Sequence, residues 1–211
     1  VKNAFRNDDI KILFYNDMGH KAHKEYKAFR KLCKFLHIKK SIGKYAYNIA
    51  KQTQLYYEMF RSENQENILK TSKKPKVLML AHAYNIGDKY VGEPIINMLD
   101  KLGVQPIIAE YLDSKKCINA SHNVTKTLPW SYNRHLIGAI ELYKNKVDGV
   151  ILITTYPCGP DSMSNEMVVR EYKNLPLITI TIDAQDATAG LETRLESFVD
   201  ILNFKRKNEN E

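Results

Sequence analysis

The sequence has few cysteines, no long apolar run and no phosphate-binding glycine loop. Its three cysteines, at 33, 117 and 158 of 211 residues, are too few and too scattered for a disulfide framework. That points to a reducing, cytoplasmic setting. No run of about 18 apolar residues occurs, so no transmembrane helix is expected. A signal-like apolar segment and an A-x-A site are also missing. Neither G-x-G-x-x-G nor G-x-x-x-x-G-K-[ST] is present, which argues against a nicotinamide cofactor and a P-loop nucleotide. No C-x-x-C or H-x-x-x-C spacing joins any two cysteines, so zinc has little support. The chain starts at Val1 without an initiating Met and reads as part of a longer polypeptide.

What is present is the composition of a soluble globular protein, 44% hydrophobic and 27% charged. The net charge of +8 is unevenly placed. Residues 1–76 carry 18 Lys+Arg against 7 Asp+Glu, and the remainder is slightly acidic. Tyr26, Tyr45, Tyr47, Tyr56 and Tyr57 alternate with lysines in that basic third. The lysines lie largely off the apolar stripe, as on a solvated helix face. With no nucleic-acid motif present, nucleic acid is disfavoured. A phosphate-bearing ligand such as a coenzyme A tail, or an acidic partner protein, stays open.

Periodicity predicts two helices in the first third. Phe29, Leu32, Cys33 and Leu36 share one face of the first. Ile42, Ala46, Ile49, Thr53, Tyr56 and Phe60 line one face of a long amphipathic helix over about 39–69. After the connector Lys73-Lys74-Pro75-Lys76 the pattern changes. Apolar runs at 77–81, 106–109, 150–153 and 177–182 read as buried parallel strands. Helical stretches at about 94–102, 131–145, 162–173 and 191–203 alternate with them. The expectation is a doubly wound α/β fold, flavodoxin- or Rossmann-like, with a mostly parallel sheet of four or slightly more strands. The organisation expected is a helical brace over 1–75, an α/β domain over 76–204 and a disordered tail over 205–211.

In such a sheet ligands bind beyond the carboxyl ends of the strands. Three polar loops leave those ends, at 82–88, 154–161 and 183–190. The middle one carries Cys158-Gly159-Pro160-Asp161-Ser162, between an apolar strand and a helix. A thiol facing a helix N-terminus is placed to ionise, because neighbouring N–H groups and the helix dipole favour the charged sulfur. Gly159 would allow close backbone approach, and Asp161 or Ser162 would cap the helix. The competing reading is a small residue buried in a tight turn.

In the first loop His82, Tyr84, Asn85 and Asp88 would bind a ligand, orient an acid–base group or simply hold a strand-end turn. Asp183, Asp186, Glu192, Arg194 and Glu196 form an acidic-rich segment with no diagnostic spacing. Cys33 reads as core and Cys117 as incidental.

Four blocks then occur in order: VLMLAHAYNIGDKYVGEPIINMLDKLGV, LPWSYNRHLIGAIELYK, ITTYPCGPDSMSNEMVVRE and IDAQDATAGLETRLESFVDIL. Over about 77–202 the chain resembles the 2-hydroxyacyl-CoA dehydratase D-component family, in its activase-related branch and in the C-terminal part. The resemblance implies α/β lobes around a [4Fe-4S] cluster held by cysteine thiolates, used for low-potential electron transfer or acyl-CoA chemistry in anaerobic metabolism. It implies an ATP-dependent activator protein, acyl-CoA and a further lobe or subunit as partners. It makes Cys158 the metal ligand, and the strand-end loops add Gly159, Asp161, Ser162, Tyr84, Asn85 and Asp88 as cofactor-binding candidates. A cluster of this kind normally needs about three or four protein thiolates. Cys33 and Cys117 do not sit in the family's motifs, so the ligand set in this chain is incomplete. The alternative is an acyl-CoA- or partner-binding module with a structural cysteine. A stand-alone cysteine nucleophile using His82 or His135 is the third reading.

Overall fold

The computed structural model describes residues 12–13, 22–183 and 190–210. The chain divides between Tyr57 and Glu58 into two compact units. That division falls within a helix, rather than at the Lys73–Lys76 connector where the sequence changes character.

The first unit is built on α1 (Ala22–Phe35) and the start of α2 (Lys40–Thr71). His37, at φ 56°, lies in the turn between them. The Tyr47 ring meets Tyr26 and Phe29 at centroid distances of 5.0 and 5.5 Å. Cys33 is buried facing Gly43, as its place on the α1 stripe predicted. The stripe predicted on α2 behaves differently. Ile42, Ile49 and Tyr56 are 57%, 45% and 64% exposed.

The second unit is a four-stranded, all-parallel sheet with flanking helices, the α/β fold expected. Its strands are β1 (Lys76–Leu80), β2 (Gln105–Ile108), β3 (Gly149–Thr155) and β4 (Leu177–Ile182). Their order is β2-β1-β3-β4, and register runs Met79 with Ile108 and with Ile151. Parallel neighbours require crossovers. Two helices, α3 (Ala83–Ile86) and α4 (Gly92–Lys101), lie between β1 and β2. Two more, α5 (Ser114–Ser121) and α6 (Ser131–Tyr143), precede β3. One crossover helix, α7 (Gly159–Glu171), joins β3 to β4, and α8 (Leu191–Asn210) closes the chain.

Side-chain alternation along β1 makes two cores. Val77 and Met79 pack with Ile95 and Leu99 of α4 and with Leu195, Phe198 and Leu202 of α8. Leu78 and Leu80 pack with Ile137 and Ile140 of α6, Val168 of α7 and Leu69 of α2. The expected disordered tail is instead helical as far as Asn210, because α8 carries on past Leu202.

Edge strands leave backbone groups to be satisfied. The Ile108 N–H of edge strand β2 donates to Gln65 Oε1 at 2.8 Å, from a 5% exposed side chain of α2. On the other edge, Arg194 Nη2 donates to the Thr179 carbonyl at 2.6 Å. That bond gives Arg194 a structural task at the strand edge. Replacing Gln65 by Ala leaves a part-buried N–H without its acceptor, so urea unfolding is expected to show a loss of about 1–2 kcal/mol.

Candidate functional site

Connections leave β1 toward β2 on one side, while β3 lies on the other. The loops above the β1 and β3 carboxyl ends therefore diverge and open a crevice. His82 follows β1, Thr154 ends β3, and Asn133 stands in the first turn of α6. Asp161 stands in the first turn of α7, whose N-cap residue is Cys158.

Asp161 joins these elements. Its carboxylate is buried, 3% exposed. His82 Nε2 lies 2.7 Å from Oδ1. Asn133 Nδ2 donates to the same oxygen at 2.9 Å, and Thr154 Oγ1 donates to Oδ2 at 3.2 Å. Cys158, the N-cap residue of the same helix, lies close enough to feel this carboxylate's charge. Burial alone would raise the Asp161 pKa, but the hydrogen bonds from His82 and Asn133, with the His82 charge, hold it below the ordinary value.

Burial comes first in setting the state of the sulfur. Burial raises the Cys158 pKa, and the Asp161 side chain raises it further, against an opposing pull from the Asp161 backbone N–H. The helix N-terminus was expected to favour a thiolate. Its backbone N–H does pull that way, but burial outweighs it and the thiol form is favoured. Iodoacetamide is therefore expected to alkylate Cys158 more slowly than free cysteine at neutral pH. Faster labelling, followed by mass spectrometry, would contradict this. Cys117 competes little, being fully buried with its thiol pushed up to about 12 by burial and by the Asp113 charge.

Aromatic rings rim the crevice. The Tyr84 ring stacks on His82 with centroids 5.1 Å apart and planes 7° apart. Tyr132 meets His82 at 5.4 Å, tilted by 53°. Both tyrosines are exposed. Glu110, just past β2, lies near enough to raise the Tyr132 pKa. Its own pKa is raised by burial and by Glu58, against His82 and Arg61. The Glu110 Oε2 atom is buried with no hydrogen-bond partner among the described residues.

Other residues singled out from the sequence take structural places. Asp88 Oδ1 accepts from the N–H groups of Tyr90 and Val91, at 2.7 and 3.1 Å, and so shapes the turn into α4. Asn85 is buried, and its Nδ2 has no partner among the described residues. Gly159 has open space where a Cβ would stand, so close approach is not what requires it. Ser162 is not the helix cap. Its Oγ donates back to the Cys158 carbonyl at 2.8 Å. His135 is buried on α6 and bonds the Ala109 carbonyl at 2.8 Å, with burial lowering its pKa. Cys117 is a core residue rather than an incidental one. Glu192 is exposed in the first turn of α8, and Glu196 is exposed further along it. Asp183 lies just after β4. Asp186, with most of the 183–190 loop, lies outside the described residues.

Sequence reasoning missed Asn133, Tyr132, Thr154 and Glu110. Only the polar pair Tyr132-Asn133 at the head of an apolar helix was a usable signal.

Among the described residues no three His, Cys, Asp or Glu side chains are grouped to hold a metal. Cys33 belongs to the first unit and Cys117 to the core beneath α5 and α6. The residues present therefore do not make a self-contained four-iron site. No helix among the described residues is long and apolar enough to cross a membrane.

No curated protein and no solved structure matches this chain. A family model does match, over residues 1–112, and that span takes in the helical hairpin, β1, β2, His82, Tyr84 and Glu110. With more than half of its length covered, the chain belongs to the family described as CoA enzyme activase uncharacterised domain (DUF2229).

Proposed function

We propose that the β1/β3 crevice is one half of a shared site, in a protein related to 2-hydroxyacyl-CoA dehydratases and their activases. Cys158 supplies one sulfur to an iron–sulfur centre whose other ligands come from another lobe or subunit. The observation that carries this reading is the position of Cys158. It is the one cysteine of the three that is not buried, and it stands at the switch-point edge where α/β sheets take ligands. When bound, such a centre would supply low-potential electron transfer. The chain's own residues do other work. Asn133 and Thr154 hold Asp161 beside the sulfur, and the His82–Tyr84 stack walls one side. An ATP-dependent activator and an acyl-CoA are the partners this reading assigns.

Anaerobic reconstitution of the isolated chain with iron and sulfide, followed by desalting and iron analysis, tests the shared character of the site. Far fewer than about four irons per chain are expected. A stoichiometric cluster in the isolated chain would overturn the proposal.

A second reading is favoured by the burial that raises the Cys158 pKa and keeps the sulfur a thiol. In it Cys158 is structural, and the crevice holds an acyl-CoA or a partner without redox chemistry. Acyl-CoA affinity that survives Cys158→Ser unchanged in a cluster-free protein would select it.

A further inference from the structure

Within the first unit, α2 turns toward α1 through Gly43 and Tyr47, with Lys51 paired to Glu25 at 3.6 Å. Successive helical residues turn by about 100°. Ile42, Tyr45 and Ile49 therefore share an arc of about 60°, roughly opposite the α1-facing side. All three are exposed. Their spacing of three and then four residues is the a–d–a spacing of a coiled-coil seam, and Tyr56 takes the next a position. The a–d spacing over these residues suits another helix.

Charge selects the kind of helix. Residues 22–57 hold nine Lys or Arg and one acidic residue, Glu25, already paired with Lys51. The seam is flanked by Ser41, Ala46, Asn48 and Thr53, so the positive charge acts as a field around it. A second copy of the chain would set two such fields against each other. We propose that the outer face of α2 over Ile42–Ile49 docks an acidic amphipathic helix of a partner protein. This docking does not depend on the crevice reading.

The test uses the full chain and two synthetic helices about three heptads long. Both carry leucine at a and d; one has glutamate flanks and the other lysine flanks. Fluorescence anisotropy is expected to show the glutamate helix binding at least about tenfold tighter, with affinity falling as salt rises. Tyr45→Glu with Ile49→Glu is expected to cost about tenfold or more, with far-UV circular dichroism unchanged. Lys31→Glu with Lys34→Glu leaves the seam intact, and is expected to slow association several-fold and flatten the salt dependence. Equal binding of the two helices, or insensitivity to both double variants, would overturn the proposal. So would self-association through the seam, or capture by phosphatidylcholine–phosphatidylglycerol vesicles in place of the acidic helix.

Discussion

Gly138→Ala is expected to cost the protein about 3–5 kcal/mol, a large share of a typical domain's total stability. A Cβ at this position of α6 would stand 1.6 Å from the Cys117 carbonyl oxygen and 2.4 Å from its carbon. The obstacle is backbone of α5, which cannot rotate aside as a side chain would. Relief requires α5 to move off α6, and that opens the core around Cys117, Ile137 and Ile140, all 1% exposed or less. Overpacking usually costs about 1–3 kcal/mol, and a backbone collision exceeds the usual case. Urea unfolding is expected to show a much lower midpoint with an unchanged slope. A variant within about 0.5 kcal/mol of the parent would mean the two helices do not approach this closely.

Asp161→Ala is expected to cost a similar amount, about 3–5 kcal/mol, because it removes the acceptor shared by His82, Asn133 and Thr154. The loss has a pH signature. The folded-state pKa of Asp161 is held below its ordinary value. Its contribution is therefore complete above about pH 3.9, the unfolded value, and is lost as pH falls through the lower folded value. The parent protein should weaken across that acid window, and the variant should lack this component. Parallel acid dependence in urea titrations of the two proteins would show that Asp161 is not the ionised hub.

The sequence carried the parts of the fold that depend on periodicity. Val77–Ala81, Val150–Ile153 and Leu177–Ile182 are apolar enough to be recognised as buried strands, and Lys40–Thr71 repeats long enough to be recognised as a helix. The burial of the α2 stripe was not legible. Amphipathic spacing says which residues share a face, not whether anything covers them. The crevice was legible as a place, since topology brings strand ends together. Its chemistry was not. How far Cys158 is buried, and how Asp161 is held beside it, depend on the tertiary fold; His82 and Asn133 hold Asp161 from 79 and 28 residues away. The tail misled for a simpler reason. Polar residues after Leu202 extend a helix whose apolar face is already anchored.

The shared-site account is tested most directly by low-temperature electron paramagnetic resonance of the native protein, purified without oxygen from its host and then reduced. Parent and Cys158→Ser forms would be compared at equal protein concentration. The account predicts that the cluster signal of the parent is lost or changed in g values in the variant, with the fold intact by circular dichroism. An unchanged signal would contradict it and leave Cys158 as a structural thiol.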